Sequence, residues 1–389
     1  MPSTDFYRLK RLPDYVFETT NRIKAEARAE GRDIIDLGMG NPDIAVPKHI
    51  EEKLIESIQK PGTHRYSVSR GIHGLRKAVC AYYKRRFHVD LCTDTETIVT
   101  LGSKEGLANL AQAVTAPGDV IITPNPSYPI HPFGFIIAGA SIRHIPANSP
   151  DEFLAALPRT VRHSVPKPTM MIVSYPSNPT AQTVDLEFYK QIVDFAREHD
   201  IWILSDVAYS EIYFEEPTPS ILQIDGAKEI AVEFTTLSKT FSMAGYRIGF
   251  CSGNKHLVGA LRKVKSYLDY GAFTPLQVAA TAALNGPEEP IIEIRNIYKK
   301  RRDVLLESFG RAGWDIPAPK AGMFCWAPIP DHLKDMGSVE FTNLLLKEAD
   351  VAVAPGIGFG EHGDGHVRIG LVENEHRIRQ AGRNIKKIF

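Results

Sequence analysis

From about residue 70, short and continuously apolar segments alternate with segments whose apolar residues recur at helical spacing. The apolar segments predict strands at TIVTLG (97–102), DVIITP (119–124), TMMIVSY (169–175), IWILSD (201–206) and IAVEFTTL (230–237). Between two of them, LEFYKQIVDFAREHD (186–200) has the periodicity of an amphipathic helix. Strands that are apolar on both faces and alternate with helices are typical of a mostly parallel sheet covered on both sides.

The two ends of the chain follow a different pattern. Near the N-terminus, a predicted helix over 21–32 and the short strand DIIDLG lead into the turn MGNPD (39–43). After about residue 290, a long predicted helix (291–312) is followed by MFCWAPIP, another helix and the short strand HVRIGL (366–371). The predicted domains are a large α/β domain over residues 45–285 and a smaller α+β domain formed by residues 1–44 and 286–389.

The composition narrows the class of protein. Of the 389 residues, 46 are Lys or Arg and 46 are Asp or Glu, so the formal net charge is zero, which argues against binding nucleic acid or a membrane surface through bulk charge. The four cysteines form no C-x-x-C pair and have no zinc-ligand spacing, which favours reduced thiols. With no apolar signal segment at the N-terminus and no run of about 18 apolar residues, we expect a cytoplasmic protein that does not enter a membrane.

Polar residues follow four of the predicted strands, where ligands bind in parallel sheets. Ser103 and Lys104 begin a helix after the first strand, and the others follow later strands: Asn178, Asp206 with Tyr209, and Ser238 with Lys239. Each has an ordinary structural explanation when it is taken alone. Ser103 and Asp206 can cap helices, Asn-Pro is a common turn, and a lysine can extend to solvent.

Taken together, these residues predict a particular chemistry. A desolvated lysine is a nucleophile for carbonyl carbon, and a helix N-terminus binds phosphate. A carboxylate such as that of Asp206 suits a protonated ring nitrogen. A cofactor with an aldehyde, a phosphate and a ring nitrogen is pyridoxal 5′-phosphate, whose ring withdraws electrons from the substrate α-carbon.

The motifs YPSNPT (175–180), SDVAY (205–209) and TLSKTFSMAGYRIGF (236–250) resemble those of class I aminotransferases of the aspartate aminotransferase fold. The resemblance covers nearly the whole chain and implies a large domain with a mostly parallel seven-stranded sheet, together with a smaller α+β domain. GSKEGLANL, PNPSYPIH and DYGAFTPLQVAA further resemble bacterial alanine transaminases and the related LL-diaminopimelate aminotransferases.

The resemblance implies a role for each matching residue. Lys239 would attach to the cofactor and later move the proton between the substrate Cα and the cofactor, while Asp206 would pair with the ring nitrogen. Tyr209 and Asn178 would bond the phenolic oxygen. The remaining implied cofactor contacts are Tyr128 on the ring, Ser103, Lys104, Thr236, Ser238 and Arg247 on the phosphate, and Tyr66 on the phosphate of the partner subunit. Shared sites of this kind imply a homodimer. The family often has Ser where Thr236 stands, and the hydroxyl is retained.

The resemblance also implies how the substrate is held. Arg368 would bind the α-carboxylate, Gly40 would let the backbone approach, and Asn178, Tyr15 and Tyr270 would line the pocket. No metal is expected, although His362, Asp364 and His366 lie close together in a glycine-rich segment. Overall similarity favours transfer between L-alanine and 2-oxoglutarate by a ping-pong mechanism. LL-diaminopimelate, aspartate and branched-chain substrates stay open, as does a cofactor-dependent C–S lyase.

Overall fold

The computed structural model describes residues 6–13 and 16–389. Its helices are α1 Val16–Ala29, α2 Lys48–Ile58, α3 His73–Phe87, α4 Ser103–Val114, α5 Ile130–Ala138, α6 Pro150–Arg162, α7 Leu186–Glu198, α8 Ala227–Ile230, α9 Leu237–Thr240, α10 Lys255–Leu268, α11 Thr274–Asn285, α12 Glu289–Gly310, α13 Gly337–Ala349 and α14 Glu375–Ile385. Its strands are β1 Ile35–Asp36, β2 Thr97–Thr100, β3 Val120–Asn125, β4 Ser141–Pro146, β5 Pro168–Ser174, β6 Trp202–Asp206, β7 Ala231–Thr236, β8 Gly249–Gly253, β9 Phe324–Pro328, β10 Val351–Ala352, β11 Ala354–Pro355 and β12 His366–Gly370.

The main sheet has seven strands in the order β2-β8-β7-β6-β5-β3-β4. The five strands from β7 to β4 pair in parallel, whereas β8 and β2 pair antiparallel at one edge. One apolar core between the sheet and helices includes side chains of α4, α5 and α10, and another includes side chains of α3, α7 and α11. The prediction of a mostly parallel seven-stranded sheet covered on both faces is confirmed, and its physical cause is the two-sided apolar character of the central strands.

The apolar pattern does not predict two strands of this sheet. β4 (SIRHIP) lies at the sheet edge and is only partly buried, so its sequence is mostly polar. β8 (GFCSG) begins and ends with glycine, a residue that is uncommon in strands. A Cβ at Gly249 would lie 2.7 Å from the backbone N of Ser103, so only glycine lets β8 pass the start of α4.

The N-terminal and C-terminal segments form separate small sheets. β9, β12 and β11 are antiparallel neighbours, and β1 pairs in parallel with β10. Their apolar side chains join those of α12, α13 and α14 in a further core that contains Tyr298, Trp314 and Phe341. The exact bounds of the two predicted domains stay a prediction. In the stretches that the structure describes, no helix is long and apolar enough to cross a membrane.

Candidate active site

A cavity of about 560 Å³ lies at the carboxyl ends of β5, β6 and β7. The strand ends supply Ser174, Asp206 and Thr236, and the segment after β1 and strands β9 and β12 close the other side. The described residues that line the cavity are Asn21, Gly38, Met39, Gly40, Asn41, Ser103, Lys104, Tyr128, Pro129, Ser174, Asn178, Asp206, Ala208, Tyr209, Thr236, Ser238, Lys239, Ala244, Gly245, Arg247, Phe324, Phe359 and Arg368. Most of the predicted site residues therefore lie together, as expected for ligands at the carboxyl edge of a parallel sheet.

Lys239 lines the cavity from α9, the short helix that directly follows β7. The Thr236 side chain caps this helix by accepting a hydrogen bond from the backbone N–H of Ser238, at 3.2 Å. The Lys239 Nζ donates to the Gly40 carbonyl oxygen at 2.8 Å. Burial, together with the nearby Arg368 and Arg247 guanidinium groups, lowers the pKa of Lys239 to about 8. A fraction of the amine is therefore neutral, and nucleophilic, near neutral pH.

Asp206 ends β6 and is 5% exposed. Its Oδ1 accepts a hydrogen bond from the backbone N–H of Ala208 at 3.2 Å, and its Oδ2 lies 2.9 Å from the Nε2 of His131. Because an ionised carboxylate only accepts hydrogen bonds, the His131 ring carries a proton on Nε2 when Asp206 is ionised. These two contacts hold the Asp206 carboxylate in place, and Asp206 lines the cavity.

His131 is a residue that the sequence interpretation missed. It lies in α5, is 1% exposed and does not line the cavity itself. The sequence feature that could have indicated His131 is that it is a single histidine in the apolar segment IHPFGF, shortly after a predicted strand. The sequence shows that it is buried but does not show which side chain it meets.

The part of the cavity at the start of α4 is suited to bind an anion. α4 begins there with Ser103 and Lys104, so the positive end of the helix dipole points at the cavity. The Arg247 guanidinium lies beside it and donates to the Ala244 carbonyl oxygen at 2.9 Å. Arg247 has a φ of 56°, a conformation that is uncommon for a residue other than glycine. Such strain is kept at functional sites when the surrounding structure holds the residue in place.

Two buried hydroxyl groups complete the anion end. Thr236 Oγ1 and Ser238 Oγ are 2.9 Å apart, and both residues are about 95% buried. Because a hydroxyl can donate as well as accept, both groups can turn toward a phosphate oxygen. The Nζ of Lys104 lies 5.9 Å from the ring centroid of Tyr128, so an aromatic face lies next to the same helix start.

Arg368 extends into the cavity from β12 and is 8% exposed. Its Nη1 donates to Asn178 Oδ1 at 2.9 Å, and its Nη2 donates to the Gly38 carbonyl oxygen at 3.0 Å. The guanidinium lies over the ring of Phe324, 4.1 Å from the centroid. The stacked and hydrogen-bonded guanidinium is held in a fixed direction, as bidentate recognition of a carboxylate requires.

Tyr209 and Asn178 lie between Arg368 and Asp206. Asn178 Nδ2 donates to the Tyr209 hydroxyl oxygen at 3.5 Å. Burial raises the pKa of Tyr209 well above its ordinary value, although the Arg368 charge opposes that shift. The Tyr209 hydroxyl is therefore protonated at neutral pH and can donate to an anionic oxygen. The Tyr209 ring packs against Phe324 with 5.7 Å between centroids, which joins the large sheet to the smaller C-terminal sheet.

Two predicted site residues that the structure describes do not line this cavity. Tyr66 and Tyr270 are 85% and 66% exposed and pack against each other outside it, with ring centroids 4.7 Å apart. Tyr66 is predicted to act in a partner subunit, whereas Tyr270, which is predicted to line the substrate pocket, does not line the cavity of its own chain. Tyr15 lies outside the described residues.

The glycine-rich segment near the C-terminus has structural contacts of its own. Asp364 Oδ1 accepts hydrogen bonds from the Ser338 backbone N–H and hydroxyl, at 2.8 and 2.6 Å. The His366 ring stacks on the Trp326 ring with 5.1 Å between centroids. Over residues 6–13 and 16–389, no group of three or more His, Cys, Asp or Glu residues is placed to hold a metal ion.

The chemistry of the groups that line the cavity fits pyridoxal phosphate. An amine, a carboxylate, a phenol, an amide and the N-terminus of α4 all line this one space. Gly102, with a φ of 82°, precedes α4 at a point where a Cβ would collide with the Arg247 guanidinium. A side chain at this position would therefore displace one of the charges of the anion end.

The match to a known protein family shows which class of protein this chain belongs to. The family model for aminotransferase class I and II matches residues 32–383. The chain belongs to the class I and II aminotransferase family, which implies pyridoxal phosphate as the cofactor and amino acids and 2-oxo acids as substrates.

Three relatives are similar over nearly their full length. The putative aminotransferase AatC of Rhizobium meliloti is 61% identical over 99% of this chain and 95% of its own length. The glutamate-pyruvate aminotransferase AlaC of Escherichia coli is 52% identical over 100% of this chain and 94% of its own. The LL-diaminopimelate aminotransferase of Aquifex aeolicus is 42% identical over 98% of each chain.

Solved structures confirm the aspartate aminotransferase fold that the sequence motifs predict. Substrate-bound BacF from Bacillus subtilis superposes with a TM-score of 0.93 and 34% identity, covering 100% of this chain and 98% of its own. A single mutant of the aspartate aminotransferase of Thermus thermophilus gives a TM-score of 0.91 at 27% identity, with full coverage of both chains.

Proposed function

We propose that this aminotransferase moves an amino group between L-alanine and 2-oxoglutarate by a ping-pong mechanism. The main observation that supports this proposal is that Lys239, Asp206 and Arg368, an arginine of β12, line the same cavity. The 52% identity to glutamate-pyruvate aminotransferase over the whole chain supports the choice of alanine.

The residues of the cavity can hold pyridoxal phosphate by complementary charge. The start of α4, Ser238, Thr236 and Arg247 would hold the phosphate, and Asp206 would pair with the ring nitrogen. Tyr209 and Asn178 would donate to the phenolic oxygen. When bound, the cofactor withdraws electrons from the substrate α-carbon and stabilises negative charge there.

Lys239 has two uses in this proposal. With a pKa of about 8, roughly a tenth of its amine is neutral at pH 7 and can attack the cofactor aldehyde. An Nζ that is not attached to the cofactor would take the proton from the substrate Cα and would return it at another carbon. A pKa near the working pH suits both directions of proton transfer, since neither form of the amine is held too tightly.

The cations that line the cavity limit how a substrate carboxylate can be bound. The described cations that line it are Lys104, Lys239, Arg247 and Arg368. Lys239 and Arg247 are assigned to the cofactor and Arg368 to the α-carboxylate. Lys104 is the remaining cation among the described lining residues, so no second arginine is placed for a side-chain carboxylate. Alanine needs none, but 2-oxoglutarate binds at the same site and has a second carboxylate, so the choice of alanine over aspartate rests on the similarity to glutamate-pyruvate aminotransferase.

A donor panel with the purified protein tests this proposal. Initial rates with 2-oxoglutarate should be highest for L-alanine, and LL-diaminopimelate, aspartate and branched-chain amino acids should each be slower. A higher kcat/KM for any of these three would transfer the assignment to that donor. Release of pyruvate from a sulfur amino acid without a 2-oxo acid acceptor would instead support a C–S lyase.

The variant Lys239→Ala provides the chemical control. It should remove the spectral change that follows mixing with pyridoxal phosphate and should abolish steady-state turnover, because no other described lysine amine is placed at the centre of the cavity. Turnover at the unaltered rate in this variant would refute the assigned mechanism.

We also propose that the chain acts as a homodimer with shared active sites in the cytoplasm. Several large side chains that are 40% exposed or more lie near Tyr66 in sequence or in space: Val68, Tyr267, Leu268, Tyr270 and Phe273. Exposed apolar surface of this kind is typical of a protein interface. A second copy of the chain would cover this surface and would give Tyr66 a phosphate to contact.

Mixed dimers test the sharing of sites. Lys239→Ala and Tyr66→Phe chains, each weak alone, should recover about a quarter of the unaltered activity after refolding together, because half of the dimers then contain one intact site. No recovery in a sample that contains mixed dimers would mean that each chain completes its own site.

A further inference from the structure

Lys265 is a completely buried lysine that does not line the cavity. It lies on α10, and its Nζ donates to Glu105 Oε1 at 2.7 Å and to Asp269 Oδ2 at 2.8 Å. A buried ammonium group is costly unless carboxylates compensate its charge, so this lysine is held in place by its two partners. One of the partners, Glu105, belongs to the helix that begins at the anion end of the cavity.

Glu105 connects Lys265 to that end of the cavity. Its second carboxylate oxygen, Oε2, accepts a hydrogen bond from the Leu101 backbone N–H at 2.8 Å. The Leu101 carbonyl oxygen in turn lies 3.5 Å from the Nη2 of Arg247. The chain of contacts therefore runs from Lys265 through Glu105 and the β2–α4 connection to Arg247, the residue assigned to the phosphate.

The position of Glu105 has an electrostatic consequence. It lies in the first turn of α4, whose N-terminal N–H groups would bind the phosphate. An uncompensated carboxylate there would repel a phosphate dianion across a short and partly buried distance. Lys265 reduces this repulsion, and together with Asn109 Nδ2, which also donates to Oε1, it holds the carboxylate so that Oε2 accepts from the Leu101 N–H.

We propose that Lys265 is a positioning residue that sets the affinity of the anion end for phosphate. This inference rests on the proposed binding of pyridoxal phosphate and extends it to a lysine that would not touch the cofactor. Its charge keeps Glu105 from opposing the phosphate, and its hydrogen bond keeps the β2–α4 connection against Arg247.

Ligand binding to the full-length chain, freed of cofactor, tests the proposal. The ligands are pyridoxal phosphate, pyridoxal, which lacks the phosphate, and inorganic phosphate, each titrated calorimetrically. Lys265→Met should weaken pyridoxal phosphate and inorganic phosphate by about tenfold or more, which corresponds to about 1.4 kcal/mol, and should leave pyridoxal within about twofold. Lys263→Met, on the exposed side of the same helix, makes the same change in net charge and should alter none of the three.

Two further variants separate positioning from folding. Glu105→Gln keeps Lys265 paired with Asp269 and keeps an oxygen for the Leu101 N–H, so it should bind inorganic phosphate more tightly than the unaltered chain. Adding Glu105→Gln to Lys265→Met should restore most of the lost phosphate affinity. If Lys265→Met does not fold, the Glu105→Gln result decides alone, and unchanged or weaker phosphate binding overturns the proposal.

Equal weakening of pyridoxal and pyridoxal phosphate in Lys265→Met would also overturn the proposal, since a purely structural lysine has no preference for the phosphate. Failure of the proposed function would be seen in the unaltered chain itself, as an absence of pyridoxal phosphate binding. The two failures are therefore distinguishable.

Discussion

Glu233 is a fully buried carboxylate in the middle of β7, the strand that leads to Lys239. Its Oε1 accepts hydrogen bonds from the Ser220 hydroxyl at 2.8 Å and the Tyr83 hydroxyl at 3.0 Å, and its Oε2 accepts one from the Ile221 backbone N–H at 3.2 Å. No cation is paired with it in the described part of the chain. Burial raises the pKa of Glu233 from 4.5 to about 7, although these hydrogen bonds oppose the shift.

This shift predicts how stability depends on pH. Because the folded protein holds the Glu233 proton more tightly than the unfolded chain, the stabilisation is fully present below about pH 4.5 and is lost as pH rises through 7. The difference of about 2.5 pKa units corresponds to roughly 3 kcal/mol in the free energy of unfolding. Glu233→Gln keeps a neutral side chain of the same shape, and the hydroxyls of Ser220 and Tyr83 can turn to suit it.

The free energy of unfolding of Glu233→Gln, relative to that of the unaltered protein, should increase with pH. Relative to the unaltered protein, Glu233→Gln should gain roughly 3 kcal/mol of unfolding free energy between pH 5 and pH 8. Urea unfolding at each half pH unit, followed by both fluorescence and circular dichroism, measures the difference and tests whether the transition is cooperative. The exposed Glu198→Gln on α7 is the matched control. A difference between variant and unaltered protein that stays constant across this pH range would refute the reasoning.

Two further predictions concern the cavity. Burial and the two nearby arginines give Lys239 a pKa of about 8. The rate at which the cofactor-free protein binds pyridoxal phosphate, measured by stopped-flow absorbance, should therefore rise with pH and level off above about pH 8. A midpoint near the ordinary lysine pKa of about 10.4 would contradict this prediction. A Cβ at Gly40 would lie 2.7 Å from the Phe324 ring, so Gly40→Ala should raise KM for the amino donor about tenfold while pyridoxal phosphate affinity stays unchanged. Gly74→Ala, where no atom lies within 4 Å, is the control, and equal kinetics in the two variants would show that the Phe324 contact has no effect on substrate binding.

The sequence alone determined five of the seven strands of the main sheet and most of the residues at the cofactor end of the site. Continuous apolar strands can only be buried on both faces, and polar residues at their carboxyl ends must then share one edge of the sheet. Lys239, Asp206 and Asn178 are predictable for this reason, because each follows its own strand directly. The motifs around them identify the family, which the comparisons confirm.

The tertiary structure decided what depends on contacts between segments far apart in the chain. His131 contacts Asp206, Arg368 lies over Phe324, Lys265 contacts Glu105 and Arg247 contacts Leu101, and these pairs are separated by 44 to 160 positions in the sequence. The spacing of apolar residues along the chain does not indicate such contacts. The apolar pattern does not predict β8, because Gly249 is required by the close approach of the start of α4 and Gly253 by the close approach of β7. Local patterns report only whether a side chain is buried, and the fold alone decides which side chain it meets and how its pKa responds.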